Sequence, residues 1–285
     1  VFSRKAGIMC GIKEVVNLLE DKDVEIYALP EGESFEPRET VVRIIGPYEQ
    51  FGIYETVLLG MMAHSSAWAT ASRKCREAAG DKVFICFGAR HVHPAVAPVM
   101  ERAAVIGGAN NASCILAAKM MGREPSGTIP HAAIIVAGDT VKVAKAYDEI
   151  MPPDSPRIIL VDTFRDEAQE ALAVADALGD KLEGVRLDTP SERGGVTPAL
   201  IREVRNRLDQ KGYSFVKIFV SGGLNPERIQ LLSEAGADAF GVGSFISGAT
   251  PIDMTMDLKM VDGKPIAKRG RIPGIIENPK LIKMK

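Results

Sequence analysis

Residues 214–245, SFVKIFVSGGLNPERIQLLSEAGADAFGVGSF, constrain the fold more than any other stretch of the chain. An apolar run, Phe215 to Val220, breaks at Ser221-Gly222-Gly223. A helical pattern carrying Ile229, Leu231 and Leu232 comes next. A second short run, Ala239-Phe240, then breaks at Gly241-Val242-Gly243-Ser244. The pattern predicts strand, glycine turn, helix, strand, glycine turn. Glycine lets backbone N–H groups approach an anion closely, and a following helix N-terminus adds positive potential. A single Gly-Gly pair is most simply a chain reversal. Two such breaks, at the ends of successive strands one helix apart, favour a phosphate cup at the C-terminal ends of barrel strands.

The alternation extends upstream. Strand patterns at 83–87, 157–161 and 184–187 alternate with helical patterns at 94–106, 112–121, 131–151, 165–178 and 198–208. A short extended piece is expected at 127–129. Strands separated by helices of ordinary length imply parallel βαβ units. With no nucleotide-fold fingerprint, a TIM-like α/β barrel over 83–247 is favoured over an open sheet. Residues 1–82 lack the alternation. A helix at 7–19, strands at 24–29 and 41–45 and a long small-residue helix at 54–79 suggest part of an α/β sandwich domain. After Ser247 a hairpin pattern around Asp262-Gly263 suggests that 248–285 returns to that domain.

Composition narrows the class. The 285 residues are 46% hydrophobic and 25% charged, enough for one large or two smaller domains. A net charge of −2 argues against a nucleic-acid protein. No apolar run reaches the ~18 residues of a membrane span. Cys10, Cys75, Cys86 and Cys114 are widely spaced, without a CxxC pair, so neither a zinc site nor a disulfide framework is indicated, and a reduced, cytoplasmic setting is expected. Val1 is not methionine and nothing beside it reads as a leader, so the chain is expected to begin inside a longer product.

Polar residues collect where strands should end: Arg90 after Cys86-Phe87-Gly88, His131 after Pro130, Asp162-Thr163, and Arg186 with Asp188-Thr189. Each has a bland alternative, since Asp162 and Asp188 are also good helix caps and a lone arginine is usually a surface residue. As a set they are chemically coherent. Arginines suit an anionic substrate. Carboxylates hold hydroxyls or magnesium. Histidine serves as acid, base or phosphoryl acceptor. The set describes a phosphoribosyl donor and an acidic base. His91 and His93 have HxH spacing but no third ligand nearby, which disfavours a metal site.

These residues lie in segments that resemble the type II phosphoribosyltransferases, above all nicotinate phosphoribosyltransferase of the shorter, archaeal-like kind. The segments are YALPEGESF, YETVLLGMMAHSSAWAT, CFGARHVHP, GGANNAS, PSGTIPHA, ILVDTF, GVRLDTPSERGG, FVSGGL, FGVGSF and VDGKPIAKRG, in family order over nearly the whole chain. The resemblance implies an irregular α/β barrel beside a sandwich domain, and a homodimer or higher oligomer with sites between subunits. It also implies condensation of nicotinate with phosphoribosyl pyrophosphate, with ATP as co-substrate and Mg2+ as cofactor, in NAD biosynthesis. Phe87 would stack on the pyridine ring, with Arg90 beside it and Arg186 at the carboxylate. Asp162 and Asp188 would hold ribose hydroxyls and magnesium. Ser221, Gly222, Gly223, Gly241 and Gly243 would bind the 5′-phosphate, with Thr189 and Ser244 also facing substrate. His131 matches the histidine that the family phosphorylates with ATP.

Three departures stand out. His91 occupies the place of a second family arginine. Asn110 stands where the nicotinamide-specific branch has aspartate, which fits an acid substrate. The family's opening segment has no counterpart before Val1. There are three rival readings. Quinolinate phosphoribosyltransferase has the same fold, but its two-carboxylate substrate calls for more basic residues. A barrel aldolase would use Lys217 as its Schiff-base lysine. A truncated phosphate-binding protein would bind without turnover.

Overall fold

A computed structural model of the chain describes residues 1–285 and divides them into two compact units. The first comprises Val1–Arg73, Arg102–Gly108 and Gly248–Lys285; the second comprises Lys74–Glu101 and Ala109–Ser247. The principal strands are β1 (Glu25–Ala28), β2 (Val42–Ile45), β3 (Val83–Cys86), β4 (Asn111–Ala112), β5 (Ile158–Leu160), β6 (Gly184–Leu187), β7 (Lys217–Ser221), β8 (Ala239–Val242) and β9 (Ile282–Lys283). The principal helices are α1 (Ile12–Leu18), α2 (Glu55–Ala79), α3 (Ala97–Gly107), α4 (Ile115–Met120), α5 (His131–Ala137), α6 (Thr140–Ile150), α7 (Glu167–Leu178), α8 (Pro198–Gln210) and α9 (Pro226–Glu234).

The first unit is built on an antiparallel sheet ordered β9-β1-β2, with Ile26, Ala28 and Val42 in a core shared with Val15, Leu19, Leu58 and Met62. Its hairpin is shorter than the sequence pattern suggests. Only Met260–Val261 and Lys264–Pro265 pair, around Asp262 and Gly263, both at positive φ. The predicted helix over 7–19 begins only at Ile12. Gly7–Ile8 pairs instead with Ser34–Phe35, and Gly11, at φ +93°, starts the helix.

The second unit is an α/β layer structure on six parallel strands ordered β4-β3-β8-β7-β6-β5, a TIM-like barrel sheet left irregular because its edges, β4 and β5, do not pair. Strands covered on both faces read as continuous apolar runs. Phe84, Leu160, Leu187, Val220 and Phe240 accordingly have no exposed surface. Four helix starts have a local cause: Asp139, Asp166, Thr197 and Asn225 accept the backbone N–H three residues on. The one helix expected over 131–151 is two. Gly138 ends α5 at φ +77°, and Asp139 starts α6 by accepting from the Lys142 N–H at 2.7 Å. Residues 127–129 form no strand; the sixth strand is Asn111–Ala112, at the start of the segment expected to be helix.

Candidate active site

Five strand ends of the second unit converge on one cluster. Phe87 follows β3, Asp162 lies just past β5, Arg186 and Asp188 sit at the end of β6, Ser221 closes β7, and Gly241 lies in β8 with Gly243 just past it. In a parallel sheet every strand delivers its C-terminal end to the same side, so the residues gather there despite long separations in sequence.

Arg186 is the hub. Its Nε donates to Ser221 Oγ at 2.8 Å, one terminal nitrogen donates to Asp188 Oδ2 at 2.8 Å, and the other donates to Thr128 Oγ1. Ser221 Oγ in turn donates to Asp188 Oδ1 at 2.9 Å. Both Asp188 oxygens are therefore engaged. The guanidinium carbon of Arg186 lies 5.6 Å from the centre of the Phe87 ring, which stacks on Phe219 at 6.0 Å. Burial lowers the pKa of Arg186, and Asp188 opposes that shift.

His131 opens α5 and joins the cluster. Its Nδ1 is 3.0 Å from Thr163 Oγ1, and its Nε2 is 3.7 Å from Asp162 Oδ2 and 3.8 Å from Asp188 Oδ2. Asp162 is the strained member. Both of its carboxylate oxygens are buried without a hydrogen-bond partner. Burial pushes its pKa up to about 6; His131 pulls it down, and Asp188 pushes it up. The orphaned Asp162 oxygens fit the carboxylate ligand of a hard cation, whereas Asp188 is already held by Ser221 and Arg186. No group of three His, Cys, Asp or Glu side chains that could hold a metal is present. A magnesium ion at Asp162 would thus take its remaining ligands from water and phosphate, its usual habit.

The other expected site residues fall into two groups. Gly222 and Gly223 are exposed, at φ +93° and +60°, and a Cβ on Gly222 would lie 2.9 Å from Asp188 Oδ1. They have the backbone freedom expected of an anion turn before α9. Arg90 is exposed and has no carboxylate partner; its Nε is 3.4 Å from His91 Nε2. His91 itself is held below its ordinary pKa by burial and by Arg90. Ser244 is exposed and begins a four-residue helix, Ser244–Ser247.

Gly241, Gly243 and Thr189 have other duties. A Cβ on Gly241 would stand 2.5 Å from Phe87 ring carbons, and one on Gly243 would stand 2.6 Å from His91 Cε1. These glycines make room for the Phe87–His91 turn, and neither has a positive φ. Thr189 is buried and donates to Glu167 Oε1 at 2.8 Å, a packing bond outside the cluster. Asn110 has a structural role too. Its Oδ1 accepts from the Phe84 N–H, near the start of β3, and from Arg76, so it lies at the end of the strand away from the cluster and says nothing about acid against amide substrates. Lys217 is exposed at the start of β7, also away from the cluster, which removes the basis for a Schiff-base lysine. Thr128 is a site residue that sequence reasoning misses, and Thr163, noted only as the neighbour of Asp162, acquires its contact with His131 in the fold. They lie within the PSGTIPHA and ILVDTF motifs, but a threonine carries no chemical signal until its neighbours are known. A cavity of about 740 Å3 in the first unit, lined by Val42, Tyr48, Leu258 and others, contains none of these residues.

A TIM-like parallel sheet carrying an arginine, two carboxylates, a histidine and a glycine turn at its strand ends is suited to an anionic, phosphate-bearing ligand. Family models agree in detail: the N-terminal domain of quinolinate phosphoribosyl transferase matches residues 1–66, and its C-terminal domain matches 68–257. The chain belongs to this phosphoribosyltransferase family. A nicotinate phosphoribosyltransferase of Mycobacterium tuberculosis is 32% identical over 258 residues, covering 87% of this chain and 55% of the relative. One of Bacillus subtilis is 30% identical, covering 76% and 44%. The chain thus spans about half the length of these curated relatives. The solved nicotinate-nucleotide pyrophosphorylase of Pyrococcus furiosus is 49% identical and superposes with a TM-score of 0.91 over 96% of this chain and 72% of that one. Human nicotinic acid phosphoribosyltransferase shares the fold at 20% identity and TM-score 0.66, covering 85% of this chain and 67% of the human one.

Proposed function

We propose that the chain condenses nicotinate with phosphoribosyl pyrophosphate to give nicotinate mononucleotide and pyrophosphate, assisted by ATP through His131. The observation that carries this choice is the small number of uncommitted cations at the strand ends. Arg186 already faces one carboxylate, and Arg90, three residues after Phe87 in the chain, has none. One free guanidinium matches one substrate carboxylate. Quinolinate has two carboxylates and would require another cation. The name of the matching family models favours quinolinate, which therefore remains the second reading.

The chemistry needs little covalent help from the protein. As the bond from ribose C1 to pyrophosphate breaks, positive charge develops on the ring and negative charge on the leaving group, and the pyridine nitrogen supplies the new bond. Asp162 and Asp188 would hold ribose hydroxyls and face the developing cation. Gly222 and Gly223 would cradle the 5′-phosphate with backbone N–H groups. Phe87 would support the flat acceptor, and Arg90 would meet its carboxylate. Asp162 would be the protein ligand of a magnesium ion brought with the diphosphate, which would supply charge neutralisation on the leaving group. Rate enhancement comes mainly from placement and electrostatics. An assembly of two or more copies and a requirement for ATP belong to the same proposal, as drawn from the family resemblance.

The test is pyrophosphate release from phosphoribosyl pyrophosphate with nicotinate, nicotinamide or quinolinate, with and without ATP, in wild type and His131→Ala. Release with nicotinate alone, stimulated by ATP only in wild type, is expected. Release with quinolinate, indifferent to ATP, would transfer the chain to the decarboxylating reaction.

A further inference from the structure

Glu101 is a buried carboxylate with no cation beside it. It lies on α3 with no exposed surface, and no Lys, Arg or His pairs with it. Arg102, its neighbour in sequence, pairs with Glu14 and Glu31 instead. Three donors compensate Glu101. Oε1 accepts the Ala89 N–H at 3.1 Å and the Ser113 hydroxyl at 2.7 Å; Oε2 accepts the Cys114 N–H at 2.6 Å. A buried charge satisfied only by neutral donors is costly to keep, so its donors show what it organises.

They belong to two turns. Ala89 lies between Phe87 and Arg90, at the start of the short 3-10 turn Ala89–His91. Ser113 and Cys114 join β4 to α4, and Cys114 is the cap residue of that helix. The residue before Glu101 grips the first turn as well, since a Cβ on Gly88 would lie 2.7 Å from Met100 Cε. Successive residues of α3 thus fix Gly88 by contact and Ala89 by hydrogen bond. Phe87 and Arg90 flank that pair.

We propose that Glu101 is a positioning residue for the acceptor side of the site: it holds the Phe87–Arg90 turn so that aromatic ring and guanidinium keep the spacing a planar aromatic acid requires. The acceptor part of this proposal rests on the phosphoribosyl-transfer reading. Both acceptor oxygens of the carboxylate are needed. Glutamine has the same shape but one acceptor oxygen, and its NH2 group would face one of the converging donors.

Hydrogen exchange and steady-state kinetics on the full chain with Glu101→Gln, Glu101→Asp and Ser113→Ala test this. In Glu101→Gln, exchange across residues 88–91 should rise about ten-fold, and KM for the acceptor should rise about ten-fold, with KM for phosphoribosyl pyrophosphate changed by less than about two-fold. Ser113→Ala, which removes one donor and leaves the carboxylate, should move the same quantities in the same direction by less, and it carries the test if the glutamine variant does not fold. Partial restoration by aspartate is expected. An equal rise in both KM values, or unchanged exchange at 88–91 in both Glu101→Gln and Ser113→Ala, would overturn the proposal. If wild type turned over neither acid, phosphoribosyl transfer would fall, and exchange at Ala89 would still decide whether Glu101 holds the turn.

Discussion

His131 Nε2 stands 3.7 Å from an Asp162 carboxylate oxygen that accepts no hydrogen bond from the protein. A buried carboxylate left open beside an imidazole is maintained against its own desolvation, and such groups concentrate where ligands or reactions need them.

Asp162→Asn should therefore separate function from stability. The folded pKa of Asp162 is raised from 3.8 to about 6, so the folded state binds this proton more tightly than the unfolded chain. Below about pH 4 both states are protonated and the group costs nothing; as pH rises through about 6 the folded state must ionise it, and stability falls. Asparagine removes that ionisation. Thermal unfolding at pH 7.5 should give Asp162→Asn a higher Tm by a few degrees, with the gain shrinking towards pH 4.5, while turnover drops on the order of a hundred-fold. A lower Tm at pH 7.5 would contradict the burial cost assigned to this carboxylate.

Arg186→Lys keeps the charge and loses the fork. A lysine ammonium cannot reach Ser221, Asp188 and Thr128 at once in the geometry Arg186 uses. Pyrophosphate release should fall on the order of a hundred-fold while the far-ultraviolet circular dichroism stays unchanged. Retention of wild-type rates would remove Arg186 from the site.

Gly241→Ala tests the packing role of a residue whose sequence context suggests phosphate binding. Its methyl group would lie 2.5 Å from the Phe87 ring, so ring or strand must shift. Overpacking of this kind costs about 1–3 kcal/mol. The kinetic effect should appear in KM for the acceptor, and a change confined to phosphoribosyl pyrophosphate would return Gly241 to the phosphate cup.

Thr189→Val should leave kinetics alone. It strips Glu167 Oε1 of its hydroxyl donor in a buried setting. The expected loss is about 1–3 kcal/mol in urea denaturation, with both substrate KM values near wild type. A raised KM with unchanged stability would show that Thr189 faces substrate after all.

Much of this protein is legible in order along the chain. Apolar runs ending in glycine or aspartate are local signals, and parallel strands send all such ends to one side. The alternation from Val83 onward therefore locates Asp162, Arg186, Asp188 and Ser221 from sequence alone. The same logic fails where a neighbour overrides local pattern. The single helix expected over 131–151 splits because Gly138 takes a left-handed conformation and Asp139 caps the second helix, α6. The apolar, small-residue segment from Ala112 resembles a helix, yet its first residue lies in a strand added to β3, because an open sheet edge supplies ladder hydrogen bonds that propensity cannot anticipate.

The kinds of groups placed at strand ends, and the alternation that gathers them, are already set in the order of the residues. What each group is free to do depends on the folded neighbours it meets. Asp162 and Asp188 are the same residue type in equivalent positions, yet one is orphaned and the other is held by Arg186 and Ser221. Gly222 bends the backbone while Gly241 makes room for a ring. Glu101 and Thr128 acquire a role only through partners distant in sequence. Hydrogen bonding and desolvation depend on which atoms lie within about 3 Å, and that is a property of the folded surroundings rather than of the residue.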